Sequence, residues 1–345
     1  MKKLLIPIIL YVLIVVAILV KANIIKIEIR KPDESIDINN YINNGLQLED
    51  ENLSKSNGKE AEFYYQQLNE TARIIYNELI SEKEKLKTGV AQINFAENTF
   101  EDILDKETGM EELSTEYQNA VDALRYDHMD LFYIDFTKTA LKTTTYTRGN
   151  EKRYEVVFSV MDGEENYFQD GITSKEDVEE KLNEIEKQTE EILKNATGSN
   201  YQKIHYIHNW IIDNVEYDRT YEGSNIRDIY GTFIYKKVVC EGYAKAFKYL
   251  LDELNIPCII ISGEAQNTQG VRERHMWNYV QINDTWYAVD VTWDDPILIN
   301  SDTLSNELRY KYFCQGTNIN TDHFINEVIT EGCQKWEYPE LYYKE

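Results

Sequence analysis

The sequence predicts an α+β fold, because two kinds of apolar pattern occur along it. Several segments repeat apolar residues three and four positions apart, which is the period of an amphipathic helix. Others are short β-branched and aromatic runs beside polar turn residues, which indicate strands. With 345 residues, of which 42% are hydrophobic, the chain is long enough for two compact domains.

The amino terminus predicts export. An uncharged apolar run extends from Leu4 to Val20 behind a short basic start. Its length lies between a signal-peptide core and a full membrane span, so residues 1–22 are expected to be a retained signal anchor or a cleaved signal peptide. Residues 23–59 are charged and rich in Asn and Ser, which is typical of a stalk. We therefore expect a single-pass protein of the cell membrane, held through its amino-terminal helix with an extracellular carboxy-terminal body, or a secreted protein if the signal is cleaved.

Residues 60–198 are predicted to form a smaller α+β domain. Helical periods occur in AEFYYQQLNETARIIYNELISEK and EYQNAVDALRYDH, and strand patterns occur in VAQINFA, LFYIDF and RYEVVFSVM. A further helix is predicted in SKEDVEEKLNEIEKQTEEILKN, with Ser174 and Asp177 as a capping box. The polar tract at 195–200 then interrupts the pattern, so a second domain is predicted over 199–345.

The net charge excludes one class of partner. Aspartate and glutamate outnumber lysine and arginine by 61 to 36, which gives a formal charge of −25. Such a surface repels phosphate backbones, so we expect no nucleic-acid partner.

Metal binding is not favoured by the histidine pattern. His205 and His208 lie three positions apart on a predicted helix, but no third ligand with convincing spacing accompanies them. Helix packing is the better interpretation of this pair. The sequence implies neither a metal nor an organic cofactor.

The four cysteines, Cys240, Cys258, Cys314 and Cys333, show no metal-binding or disulfide-framework spacing. Cys258 lies in the apolar run IPCIIIS, where a cysteine is expected to pack in a buried strand. Pairing of Cys314 with Cys333 stays open from the sequence. Cys240 is different because it begins an amphipathic helix.

Apolar residues repeat after Cys240 at helical spacing: Ala244, Phe247, Leu250, Leu251 and Leu254. A thiol in the first helical turn faces unpaired amides and the positive end of the helix dipole, and both stabilise a thiolate. The sequence therefore predicts a reactive cysteine at position 240. The alternative for this segment alone is a cysteine that only packs.

A second segment brings a histidine and an aspartate together. HMWNYVQINDTWYAVDVTWDDP contains two strand patterns around Asn283 and Asp284, which suit a tight hairpin turn. This register pairs Gln281 with Trp286, Tyr279 with Ala288, Trp277 with Asp290 and His275 with Thr292. His275 and Asp290 then lie on one face as diagonal neighbours, at roughly 7 Å between backbones. An imidazole held by a carboxylate near a thiol can take the proton from sulfur and return it to a leaving amine.

The segments around these residues resemble the core of the transglutaminase-like superfamily: VVCEGYAKAFKYLLDELNIPCIIISGEA and HMWNYVQINDTWYAVDVTWDDP. The resemblance covers about residues 200 to 330. It implies a papain-like core, in which a helix bearing the cysteine packs on an antiparallel sheet bearing the histidine and the aspartate. It also implies Cys240 as nucleophile, His275 as general base and then acid, and Asp290 as the residue that orients His275.

The resemblance also indicates which reaction to expect. The chain resembles exported bacterial members and kyphoscoliosis-peptidase and cytokinesis-protein relatives, which are regarded as peptidase-like. It has Val239-Cys240-Glu241-Gly242 in place of the Gly-Gln-Cys-Trp of animal crosslinkers. The sequence therefore predicts a cell-surface thiol enzyme that hydrolyses amide bonds of extracellular proteins or wall peptides. The alternatives are crosslinking of glutamine to lysine, and a non-catalytic peptide-binding module on the same fold.

Overall fold

The computed structural model describes residues 62–296 and 304–343, and it is an α+β protein as predicted. The predicted signal segment 1–22 and stalk 23–59 lie outside the described residues. Among the residues that are described, no helix has the length and apolar character needed to cross a membrane.

The first part of the described chain combines helices with a small sheet. Its helices are α1 (Phe63–Gln67), α2 (Glu70–Ser81), α3 (Lys83–Leu86), α4 (Glu101–Leu104), α5 (Gly109–Asp127) and α6 (Lys175–Leu193). Its strands are β1 (Ile93–Asn94), β2 (Thr139–Arg148) and β3 (Glu151–Val160), in the spatial order β1-β3-β2 with antiparallel pairing. Ser174 caps α6 through a hydrogen bond from the amide of Asp177, but the Asp177 side chain accepts from the amide of Thr173, so only the Ser174 half of the predicted capping box forms.

Two predicted elements differ from the structure for local reasons. The helix predicted over AEFYYQQLNETARIIYNELISEK is two helices, because the side chain of Asn69 accepts from the amide of Ala72 and starts α2 anew. The run LFYIDF is not a strand. Asp135 accepts from the amide of Thr137 and begins a 3₁₀ turn at Phe136–Lys138, so the strand starts only at Thr139.

The second part builds a four-stranded antiparallel sheet. It contains α7 (Asn200–Asn214), β4 (Glu216–Tyr217), β5 (Lys237–Val238), α8 (Cys240–Glu253), β6 (Cys258–Gln266), β7 (Arg272–Ile282), β8 (Thr285–Val289), α9 (Asn306–Arg309) and β9 (His323–Ile325). The sheet order is β8-β7-β6-β9, and β4 pairs in parallel with β5. Helix α8, which begins at Cys240, packs against β7 and β6. Cys258 is buried at the start of β6, as its apolar surroundings predict.

One hydrophobic core includes residues from both predicted domains. Tyr64 shows the connection: it is fully buried, and its hydroxyl donates to the carbonyl of Ile260 in β6. Asp127 at the end of α5 accepts from the amides of Tyr64 and Tyr65 and so caps α1 from a distance. The division at residues 198 and 199 stays a prediction, and the apolar packing is continuous across it.

Candidate active site

Cys240 is the first residue of α8 and is partly exposed. The preceding residue, Val239, is extended and provides no side-chain cap, while its carbonyl accepts from the amides of Gly242 and Tyr243. The thiol therefore lies at the positive end of a 14-residue helix. A glycine is required at position 242, because a Cβ there would lie 2.6 Å from the Cβ of Val238.

The hairpin register is confirmed up to the end of β8. Gln281 pairs with Trp286 and Tyr279 with Ala288. Asn283 and Asp284 have φ values of 50° and 60°, the left-handed pair typical of a type I′ turn. The ladder ends at Val289, so the predicted pairs of Trp277 with Asp290 and His275 with Thr292 are wrong. The chain leaves the strand there because Asp290 Oδ1 accepts from the amides of Thr292 and Trp293.

His275 and Asp290 are nevertheless brought together. His275 Nε2 lies 2.7 Å from Asp290 Oδ2, and both side chains are buried. Burial by itself lowers the pKa of His275, but the charge and hydrogen bond of Asp290 outweigh it and raise the pKa to about 10. Burial raises the pKa of Asp290, but the charge and hydrogen bond of His275 hold it well below its usual range. The pair is therefore an imidazolium and a carboxylate.

The thiol of Cys240 interacts with the same imidazole, that of His275. A side-chain hydrogen bond and a charge interaction with Cys240 contribute to the raised pKa of His275. Because Nε2 is used by Asp290, the other ring nitrogen, Nδ1, is the one left for sulfur. Cys240, His275 and Asp290 thus form one connected network, although their catalytic roles stay predictions.

His323 is a member of this network that the sequence interpretation missed. Its Nε2 lies 3.0 Å from Asp290 Oδ2, and its Nδ1 lies 2.7 Å from Asp322 Oδ1. It belongs to the three-residue strand β9, which pairs with β6. A strand this short has no recognisable period, so only the single His beside an acid in NTDHF offered a signal.

The two histidines and Asp290 could be considered as metal ligands. Their ligand atoms all lie within 4.8 Å of one another. Asp290 Oδ2 is, however, hydrogen-bonded to Nε2 of both His275 and His323, so the same atoms already satisfy each other. Hydrogen bonding therefore accounts for the cluster without an ion.

His205 and His208 pack in the helix α7 region and point to different partners. His208 Nε2 lies 3.0 Å from Asp294 Oδ2 in a fully buried pair. The His205 ring stacks on Tyr310 with centroids 5.1 Å apart. Asp294 lies in a turn and is buried against His208.

Aromatic side chains surround the two site histidines. The ring centroids of Trp277 and Trp293 lie 6.1 Å and 5.4 Å from that of His275. Trp277 is a core residue, whereas Trp293 is partly exposed. The other three cysteines, Cys258, Cys314 and Cys333, are free thiols outside this network.

A partly exposed thiol at a helix start, an imidazolium and a buried carboxylate are the parts of a cysteine acyl-transfer site. The comparison with known families agrees with this class. The model of the transglutaminase-like superfamily matches residues 186–291, a stretch that contains Cys240, His275 and Asp290. Residues 186–291 therefore form a transglutaminase-like domain.

Individual proteins with similarity cover only part of the chain. Kyphoscoliosis peptidase of Mus musculus is 26% identical over 157 residues, which are 41% of this chain and 22% of the mouse protein. A solved TGase structure is 16% identical and has a TM-score of 0.31, over 51% of this chain and 50% of that chain. A proposed cysteine protease from Cytophaga hutchinsonii is 14% identical with a TM-score of 0.27, over 44% of this chain and 62% of that chain.

Proposed function

We propose that this protein is a thiol enzyme that hydrolyses amide bonds through Cys240, His275 and Asp290. The observation that carries the proposal is the imidazolium of His275 between the Cys240 thiol and the Asp290 carboxylate, 2.7 Å away. A protonated imidazole beside sulfur stabilises the thiolate, which is the nucleophilic form. The match of this region to the transglutaminase-like superfamily supports the same chemistry.

The reaction has two halves. The thiolate of Cys240 attacks the substrate carbonyl, the C–N bond breaks, and the imidazolium of His275 gives its proton to the leaving amine. This leaves a thioester on Cys240. Neutral His275 then takes a proton from water, the hydroxide attacks the thioester, and the carboxylic acid product and the thiolate are released. Asp290 keeps the ring oriented throughout.

The backbone amide of Cys240 is our candidate donor to the oxyanion that forms during attack. It is the first amide of α8, and the amides of Gly242 and Tyr243 already donate to Val239. An amide at a helix start is well placed to stabilise negative charge.

We further propose that the substrates are extracellular proteins or wall peptides. This rests on the apolar run from Leu4 to Val20, which lies outside the described residues and which we interpret as a membrane anchor or signal peptide. In this interpretation the enzyme faces the outside of the cell membrane, or is secreted if the signal is cleaved.

Selective alkylation tests the nucleophile first. Burial raises the pKa of the Cys258, Cys314 and Cys333 thiols, so iodoacetamide is expected to modify Cys240 first. Cys240→Ala should abolish peptide cleavage, whereas the matched control Cys333→Ala should retain it. Equal cleavage by Cys240→Ala and the wild type would contradict the proposal.

A labelled-amine assay separates hydrolysis from transfer, because both reactions form the same thioester. Incorporation of a labelled primary amine into a glutamine peptide without release of acid would establish crosslinking instead. If Cys240→Ala leaves a cellular phenotype unchanged while deletion of residues 199–345 removes it, the domain acts as a peptide-binding module.

A further inference from the structure

The carboxylate of Asp290 accepts four hydrogen bonds. Oδ1 accepts from the amides of Thr292 and Trp293 at 3.0 and 3.1 Å. Oδ2 lies 2.7 Å from His275 Nε2 and 3.0 Å from His323 Nε2. The side chain has no exposed surface, so its orientation and charge are set by these four groups.

Both ring nitrogens of His323 have a carboxylate as partner. Each ring nitrogen contacts a carboxylate oxygen, Asp290 on one side and Asp322 on the other. The second oxygen of Asp322 accepts from the hydroxyl of Tyr312 at 2.9 Å, as expected for an ionised carboxylate. Ionised carboxylates accept only, so an ionised Asp290 and an ionised Asp322 together select the form of His323 in which both nitrogens donate, the imidazolium.

The fold holds this second ring in place. His323 pairs with Ala265 of β6, while His275 pairs with Gly263 of the same strand, so the two histidines lie on one face on opposite sides of β6. Their ring centroids are 5.7 Å apart. Three aromatic rings also contact His323, with centroids at 4.8 to 5.3 Å: Trp277, Trp293 and Tyr312.

We propose that His323 is a positioning residue for the reaction, which holds the Asp290 carboxylate ionised and aimed at His275. The proposal rests on the proposed function of Cys240 and His275, and it adds a fourth side chain to their network. A second imidazolium offsets the buried negative charge of Asp290, which would otherwise favour protonation of that carboxylate. The charged groups around His323 are Asp290, Asp322 and His275.

Two variants separate charge from packing. His323→Gln keeps one N–H donor for Asp290 but carries no charge, and His323→Phe keeps a ring among the three aromatics but offers no donor. His208→Gln is the matched control, because it alters another buried His–Asp pair that does not bond to Asp290. The first measurement is the rate of Cys240 alkylation by iodoacetamide against pH, which requires no substrate.

Loss of the positive charge should move the midpoint of the alkylation profile upward by about one pH unit in both His323 variants. The control should lose thermal stability without moving the midpoint. For peptide cleavage, kcat should fall about tenfold in His323→Phe, the order of loss when an outer partner of a functional residue is removed. His323→Gln should retain part of the kcat that His323→Phe loses. KM should be unaffected in both variants.

Unchanged alkylation midpoints in both variants would overturn the proposal and leave His323 a packing residue. Shifted midpoints without any peptide cleavage by the wild type would instead overturn the proposed function alone. If the variants do not fold, NMR of the wild-type protein with ¹⁵N-labelled histidine tests the proposal, because it reports the protonation of both ring nitrogens of His323. Two protonated ring nitrogens on His323 near neutral pH support the proposal, and one unprotonated nitrogen contradicts it.

Discussion

His208 Nε2 lies 3.0 Å from Asp294 Oδ2, and neither side chain is exposed to solvent. Burial lowers the pKa of His208 to about 3 and raises the pKa of Asp294 well above its usual value. The pair is therefore neutral, with a protonated carboxyl that donates to the imidazole. His208 Nδ1, at 3.3 Å from Asn209 Oδ1, then carries the ring proton.

The pair of His275 and Asp290 has the same residue types but the opposite charge state. Asp290 accepts from two backbone amides and faces two imidazoles, whereas Asp294 accepts from the amides of Tyr312 and Lys311 and faces one imidazole. More donors stabilise the carboxylate form enough to overcome burial. The number of donors on the aspartate thus decides which pair is ionised and suited to proton transfer.

Asp290→Asn should reduce kcat of peptide cleavage by about a thousandfold or more, as expected when the partner of a catalytic histidine no longer selects its tautomer. The asparagine oxygen is retained by the amides of Thr292 and Trp293, so its NH₂ faces His275 and His323, which also donate. His275 loses the charge and hydrogen bond of Asp290, the largest interactions that raise its pKa, so burial lowers the pKa. Since His275 is the acid for the leaving amine, the alkaline limb of the pH–rate profile should move downward from about pH 10. An alkaline limb at the same pH in Asp290→Asn and the wild type would contradict the assignment of His275 and Asp290 as the ionised pair.

Asp294→Asn should be tolerated, because a neutral amide reproduces the protonated carboxyl. Its NH₂ donates to His208, and its oxygen accepts from the amide of Tyr312. The folded pKa of Asp294 is raised above 3.8, so its stabilisation is complete below the unfolded value and is lost as pH rises through the folded value. The asparagine does not titrate. The variant should therefore gain stability relative to the wild type as pH rises, measured as urea midpoints at about pH 5 and about pH 9. A constant difference between the two proteins would argue against a protonated Asp294.

The candidate site was partly predictable from sequence, and the reason differs for each residue. Asn283 and Asp284 tolerate left-handed φ, so their turn fixed the register of β7 on β8 up to Val289, the residue before Asp290. Cys240 was found because its helix has a clear apolar period. His323 reaches Asp290 across 33 positions from a three-residue strand, and no local pattern records such a contact.

The visibility of a local apolar period also explains which elements of the fold were predicted correctly. The long helix α6 and the strand β3 have enough residues for a period to be visible, and both occur where predicted. The apolar run LFYIDF shares the composition of a strand, but its residues pack as 3₁₀ and turn structure around Leu131 and Phe132. The local hydrogen bond of Asp135 to the amide of Thr137 decided there, because so short a run fits either structure.

Glu241→Gln should destabilise the protein by about 3 kcal/mol near neutral pH, as expected when one partner of a buried ion pair is removed. Glu241 follows Cys240 and is buried 2.7 Å from Lys245, with Arg125 of α5 at 3.8 Å. Burial raises the pKa of Glu241, but the charges of Lys245 and Arg125 outweigh it and lower the pKa. The contribution is therefore present above the unfolded value of 4.5 and is lost as pH falls through the folded value.

Denaturant midpoints of the wild type and Glu241→Gln provide the measurement. Glu191→Gln is the control, because it removes an exposed ion pair with Lys194 and should leave the midpoint unchanged. The two curves for Glu241 should converge in acid, where the wild-type carboxyl is also neutral. A difference that persists unchanged in acid would show that packing, and not charge, is responsible.

Gly263→Ala should displace β9 and with it His323. A Cβ at this position would lie 2.2 Å from the carbonyl oxygen of Phe324 and 2.8 Å from the Trp277 ring, and a backbone atom cannot move aside cheaply. We expect a loss of about 2 kcal/mol in the free energy of unfolding, the order found for overpacked sites. The alkylation profile of Cys240 should also shift towards that of the His323 variants, because the strand that carries His323 has moved.

Gly270→Asn is the control, since a side chain there meets open space and asparagine tolerates its φ of 80°. If Gly263→Ala has the same free energy of unfolding as the wild type, β9 can move without loss of stability. Such a strand could not hold His323 firmly against Asp290.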